Sequence, residues 1–143
     1  MKIYAAYGSN MDLGQMARRC PGANVIGKGA VRGHRLLFRG SKTGSYATIE
    51  PCEGAETPVL LWEIDEFDEA SLDRYEGFPT FYQKEAVAVD TAKGTVEAMA
   101  YVMDPSRPLG APTDWYYGVL ADAYGLFGFD RSILRRALAD SIG

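Results

Sequence analysis

Glu76 lies in the stretch LDRYEGFPTFYQ, followed by a glycine and set among Tyr75, Phe78, Phe81 and Tyr82. A carboxylate at the end of a helix faces the negative end of the backbone dipole, and aromatic neighbours strip water from it. Both effects push its pKa upward, toward the range a proton shuttle needs. A solvated glutamate beside a glycine cap fits the same residues. The second segment is Tyr7-Gly8-Ser9-Asn10-Met11, where a short apolar run gives way to a helical pattern. Backbone N–H groups at a helix entry lack helical partners and carry partial positive charge, so such a turn can hold a carboxylate or a developing oxyanion, with Gly8 admitting a ligand close to the backbone. The same residues also make an ordinary capped turn with nothing bound.

Other chemistries are poorly supplied. His34 is the only histidine, so a histidine-rich metal site is excluded and a serine-histidine triad would depend on that one ring. Ser9 as an acyl-transfer nucleophile lies outside the G-x-S-x-G elbow pattern and has no evident base nearby. Cys20 and Cys52, with 31 residues between them, match neither a CxxC redox site nor a zinc spacing. Asp65, Glu66, Asp68 and Glu69 read as a solvated first helical turn, and Arg135 and Arg136 as charges suited to a helix end. Trp115, Tyr116, Tyr117 and Tyr124 could line an aromatic pocket, although tyrosines at helical spacing also build cores. The chemistry left runs on carboxylates, tyrosines, backbone groups or lysine, with no metal or cofactor expected.

These residues need elements to hold them. Lys2 to Tyr7 reads as a strand broken at Gly8, and Leu13, Met16 and Ala17 stand at helical spacing in a helix that Asn10 or Asp12 can cap and Pro21-Gly22 stops. Asp12 and Gln15 have the spacing of a capping box. From Asn24 to Asp65 the pattern is of short strands, NVIGKGAVRG, HRLLFRG, SYATIEP and PVLLWEID, separated by Gly, Ser, Pro and Glu-Gly turns. Phe67, Ala70, Ser71 and Arg74, with Leu72 and Tyr75 beside them, then predict a helix that Asp65 caps and Gly77 ends. FYQKEAVAVD and TVEAMAYVMD read as two further strands joined at Lys93-Gly94. A proline-rich loop from Pro105 to Pro112 leads to two closing helices, Asp114 to about Tyr124 and Asp130 to Ser141, each with an acidic cap expected.

The chain has 143 residues, 47% hydrophobic and 12% aromatic, within the range of one compact domain, so a single domain over residues 1–143 is expected. Five to seven strands with few helices suggest an α+β protein, best closed as a small barrel with helices outside, an open mixed sheet being the alternative. A net charge of −4 without a clustered basic face argues against nucleic acid as a partner. The apolar run after Lys2 is too short for a signal-peptide core and no stretch approaches a membrane span, so a cytoplasmic location away from membranes is the expectation.

The YGSN turn after a first strand, then ATIEP (Ala47 to Pro51), the strand LLWEI (Leu60 to Ile64) and LDRYEGF with a tyrosine shortly after together resemble the gamma-glutamylcyclotransferase-like superfamily, which includes AIG2-like proteins and gamma-glutamylamine cyclotransferases. The order and spacing match over nearly the whole chain, more loosely from Trp115 to Gly125. The resemblance implies a small mixed β-barrel whose cavity is bordered by the YGSN loop. It also implies cofactor-free conversion of a gamma-glutamyl amine or gamma-glutamyl amino acid to 5-oxoproline plus free amine. By position, Glu76 takes the part of the general acid/base. Tyr4, Tyr7, Gly8, Ser9 and Asn10 correspond to the substrate-holding segment, and Tyr82 and Tyr116 to the pocket wall. The alternative is a non-catalytic module that binds a small carboxylate or amine in the same cavity.

Overall fold

The computed structural model describes residues 1–41 and 44–142. Five strands and four α-helices follow in the order β1 (Lys2–Ala6), α1 (Leu13–Arg19), β2 (Asn24–Arg39), β3 (Tyr46–Ile64), α2 (Glu66–Glu76), β4 (Gln83–Thr91), β5 (Gly94–Val102), α3 (Asp114–Phe127) and α4 (Arg131–Ile142), with a 3-10 turn at Ser9–Met11. The strands close into an α+β barrel in the order β1-β3-β2-β4-β5. Closure depends on a parallel contact in which Tyr4 of β1 stands opposite Met99 of β5, while the other pairings are antiparallel. Among the described residues no helix is long and apolar enough to cross a membrane.

The region from Asn24 to Asp65 is simpler than its punctuation suggests. Instead of four short strands it forms one long hairpin of β2 and β3, whose pairing shifts register between Val25 and Gly27 and between Arg32 and His34. Gly27 and Gly33 have positive φ, and these glycines absorb bulges within a continuous strand where a turn was expected. Both long strands therefore bend around the barrel, which is how two segments supply much of its wall.

Helix faces also differ from the simple periodic reading. Of Leu13, Met16 and Ala17, only Met16 is buried in α1. In α2 the buried positions are Asp68 and Leu72, while Phe67 points to solvent at 85% exposure. Asp65 caps α2 in a reciprocal capping box with Asp68, which explains why an aspartate is turned inward there. Asp12 caps α1 by accepting from the amides of Gly14 and Gln15, and Gln15 directs its side-chain amide to the same carboxylate. The cap of α3 is Thr113, whose hydroxyl accepts from the Tyr116 amide at 3.1 Å, where an acidic cap was expected. That helix runs past Tyr124 to Phe127, since Gly128 in the left-handed conformation ends it and Gly125 does not.

Gly77 places the site. With φ 67° and ψ 36° it ends α2 in a left-handed cap, a conformation that glycine adopts without Cβ strain. The preceding residue, Glu76, is thereby held on the last helical turn at the mouth of the barrel.

Candidate active site

A cavity of about 210 Å³ opens at this end of the barrel. Its floor and sides come from Tyr4 and Ala5 of β1, from Tyr7 to Asn10 of the following turn, and from Tyr101 of β5. Tyr75 and Glu76 enter from the end of α2, Phe81 and Tyr82 from the segment after it, Tyr46 and Ala47 from the start of β3, and Tyr116 from α3. The eight residues singled out in the sequence, Glu76, Tyr4, Tyr7, Gly8, Ser9, Asn10, Tyr82 and Tyr116, thus meet in one place.

The turn is tied down at its base. Trp62 Nε1 donates to the backbone carbonyl of Asn10 at 3.0 Å, and Asn10 is 2% exposed. Its side chain does not cap α1. Instead Nδ2 donates to Glu76 Oε1 at 3.2 Å and to the Tyr4 hydroxyl at 2.9 Å. The first bonds of the 3-10 turn run from Met11 N to Gly8 O and from Asp12 N to Ser9 O, which leaves the amides of Ser9 and Asn10 ahead of the first helical bond, as at any helix entry. A Cβ on Gly8 would come within 3.0 Å of the Tyr116 hydroxyl, so glycine is what lets that hydroxyl approach the turn.

Burial of the Glu76 carboxyl raises its pKa from 4.5 to about 7, against the Arg19 guanidinium and the Asn10 hydrogen bond, which both pull it down. The residue as a whole keeps an exposed part at the cavity mouth. The surrounding phenols move further from neutrality. Burial lifts Tyr4, Tyr7, Tyr82 and Tyr116 above the usual phenol value, with the nearby Glu76 adding to the effect. At neutral pH they are hydroxyl donors and acceptors, and Glu76 is the lining group poised to exchange a proton.

Their hydroxyls fall into two kinds. Tyr7 donates to the Tyr101 carbonyl, and Tyr82 donates to the Ala47 carbonyl at 2.7 Å. Each spends its proton on the barrel and keeps acceptor capacity, part of which Tyr7 already gives to the Thr48 side chain. Tyr116 accepts from the Ala47 amide at 3.1 Å and Tyr4 accepts from Asn10, so each keeps its own proton to donate. Ser9 Oγ lies 3.3 Å from the Tyr75 hydroxyl. His34 Nδ1 pairs with the Arg32 carbonyl on β2 and does not line the cavity, so no imidazole stands beside Ser9.

Of the aromatic residues in α3, Tyr116 reaches the cavity, Tyr124 is fully buried core, Tyr117 packs against Phe38, and Trp115 is 69% exposed. Sequence reasoning missed Tyr46 and Tyr101. Tyr46 stacks edge-on against Tyr116 and Phe81 at the mouth, and Tyr101 stands edge-on to Tyr4. Neither carries a local signal, since each is one aromatic residue among several in a strand pattern.

The model of the family described as gamma-glutamyl cyclotransferase, AIG2-like, matches residues 4–117. Among solved structures, one titled gamma-glutamyl cyclotransferase superposes with a TM-score of 0.82 at 24% identity, covering 95% of this chain and 85% of that one. An uncharacterized protein from Homo sapiens gives a TM-score of 0.85 at 25% identity with the same coverage. An AIG2-like protein from Mus musculus gives 0.60 at 21% identity, over 72% of this chain and 77% of that one. No curated protein matches the chain significantly in sequence.

Proposed function

The chain belongs to the AIG2-like gamma-glutamyl cyclotransferase family, and on that premise we propose that it converts a gamma-glutamyl amine or gamma-glutamyl amino acid to 5-oxoproline and a free amine, with Glu76 as general acid/base. The observation that carries this reading is the position of Glu76: a desolvated carboxyl that lines a cavity of about 210 Å³, is hydrogen-bonded at 3.2 Å to Asn10 of the polar turn, and has a pKa raised to about 7.

The substrate arrives with its α-amine protonated and unable to attack. Glu76 as carboxylate takes one proton. The freed nitrogen lone pair then forms a bond to the γ-carbonyl carbon of the same molecule, and the carbonyl π electrons move onto oxygen. Holding the folded conformer supplies much of the rate, because well-oriented intramolecular reactions reach effective molarities of about 10⁵ M or more. The Ser9 and Asn10 amides are suited to the developing oxyanion, and loss of one such donor costs roughly 3 kcal/mol in comparable sites. Collapse of the oxyanion breaks the bond to the departing amine, to which Glu76 returns its proton. A second proton leaves the ring nitrogen and ends on the same amine, giving a neutral lactam and an ammonium ion. Tyr4 and Tyr116 have protons to donate to the substrate's carboxylate or carbonyl oxygen, while the Tyr7 and Tyr82 lone pairs suit its ammonium group.

The test is mass-spectrometric detection of 5-oxoproline from a panel of gamma-glutamyl amino acids and gamma-glutamyl amines, using the native protein and Glu76→Gln. Release by the native protein alone supports the assignment, and the preferred leaving group defines the substrate. No release across the panel, with ligands still raising the melting temperature, replaces it with a binding function for the same cavity.

A further inference from the structure

Arg19 stands on the last turn of α1, outside the cavity lining, yet it touches two of the residues that line the cavity, Asn10 and Tyr75. Nη1 donates to Asn10 Oδ1 at 2.5 Å, Nη2 donates to Gln15 Oε1 at 2.7 Å, and the guanidinium carbon lies 3.5 Å from the centre of the Tyr75 ring. A guanidinium has five donors and no acceptor. The Asn10 atom that faces it must therefore be the carboxamide oxygen, which forces the amide nitrogen to the opposite side, toward Glu76 and Tyr4. Trp62 already fixes the Asn10 backbone, so rotation of the side chain is the freedom left for Arg19 to remove.

The orientation decides where protons sit. With the amide held as it is, one Nδ2 hydrogen goes to Glu76 and the other to Tyr4, whose own hydroxyl proton stays available. With the amide turned over, a carbonyl oxygen would face the Glu76 carboxylate, and Tyr4 would spend its proton on that oxygen.

We propose that Arg19 is a positioning residue that locks the Asn10 carboxamide, so that Asn10 holds the Glu76 carboxylate in place and leaves the Tyr4 hydroxyl proton for the substrate. For catalysis this rests on the cyclotransferase reading above, but the lock itself can be measured without turnover. The groups facing Glu76 are Asn10 from the turn, Tyr4 and Tyr7 from β1 and its end, Tyr82 beyond α2, Tyr116 from α3, and Arg19. Arg19 is the cation among them. Its removal takes away both a charge and the fixed amide donor, and each loss moves the Glu76 midpoint upward.

The experiment follows the carbon-13 shift of the Glu76 carboxyl against pH, alongside 5-oxoproline kinetics, in the native protein, Arg19→Met, Arg19→Lys and Asn10→Asp. In Arg19→Met the midpoint rises, the acid limb of kcat/KM rises with it, and kcat falls by about 10²-fold, the scale set by small misplacements of a reacting group. Arg19→Lys restores much of the midpoint because the cation returns, and less of kcat because one ammonium cannot hold both carboxamides and stack on Tyr75. Asn10→Asp keeps a partner for the guanidinium while turning a carboxylate toward Glu76, so it raises the midpoint even where Arg19→Met folds poorly. Native midpoints and kcat in folded Arg19→Met overturn the proposal. If the native protein releases no 5-oxoproline but the Glu76 midpoint stays above its native value in folded Arg19→Lys, where the cation is restored and only the amide lock is lost, the cyclotransferase reading falls and the lock stands.

Discussion

Asn10 and Glu76 are 66 residues apart in sequence and joined by a 3.2 Å hydrogen bond, from the Asn10 carboxamide nitrogen to the Glu76 carboxylate. The bond links the turn after β1 to the end of α2 and brings a fixed donor to a carboxyl that burial pushes toward neutrality. It moderates the pKa of Glu76 and aims one of its oxygens; on the proposed reading the other is left for the substrate.

Turnover should follow the ionisation of Glu76. For the free enzyme, kcat/KM for 5-oxoproline release should rise with pH through about 7, where the carboxyl becomes a carboxylate able to take the substrate's proton. In Glu76→Gln that limb should disappear together with at least about 10²-fold of the rate, the lower end of general acid–base contributions. A pH profile of both proteins checks this. A glutamine variant that keeps the native rate removes Glu76 from the chemistry.

The same pKa has a consequence for stability. The Glu76 carboxyl goes from 4.5 to about 7 on folding, so the native state holds the proton more tightly than the unfolded chain. Its contribution is fully present below pH 4.5, declines as pH rises through about 7, and is absent above that. Glutamine carries no charge to desolvate. Glu76→Gln should therefore match the native protein in denaturant unfolding near pH 4 and exceed it by roughly 3 kcal/mol near pH 8.5, at about 1.4 kcal/mol for each unit of the shift. Equal stabilities at both pH values would mean that the carboxyl is not desolvated.

Much of the site was legible because its two halves lie in short contiguous segments with strong local grammar. A strand that breaks at Gly8 and a helix that ends at Gly77 mark the positions of Asn10 and Glu76 from sequence alone. What sequence could not supply was the relation across the barrel. Nothing local tells Tyr46 or Tyr101 from other strand aromatics, and Arg19 reads as a basic residue in a last helical turn until its partner Asn10 is seen. The long β2–β3 hairpin was read as separate strands for a related reason. Glycine is the residue of both turns and bulges, and tertiary pairing decides which it makes.

Gly8→Ala should act on the cavity and spare the fold. Gly8 has φ −114° and ψ −140°, and the new methyl would lie 3.0 Å from the Tyr116 hydroxyl and 3.7 Å from the Ala47 Cβ. Tyr116 would have to yield by a few tenths of an ångström, loosening its bond from the Ala47 amide and narrowing the approach to the turn. KM for the best substrate should rise several-fold with little change in melting temperature. An unchanged KM would place the substrate away from the turn.

Tyr124→Phe tests the core near the C-terminal end of α3. Tyr124 is fully buried, packs edge-on against Phe129 at 5.5 Å, and its hydroxyl is, among the described residues, a buried side-chain polar atom with no hydrogen-bond partner. Burying a hydroxyl without a partner costs about 1–3 kcal/mol, whereas phenylalanine keeps the ring and the packing. Removal of the oxygen should leave stability unchanged or raise it by about 1 kcal/mol, with 5-oxoproline kinetics intact because Tyr124 does not line the cavity. A loss of about 1 kcal/mol or more on denaturant unfolding would show instead that the hydroxyl is hydrogen-bonded in solution, by a buried water if by no protein group.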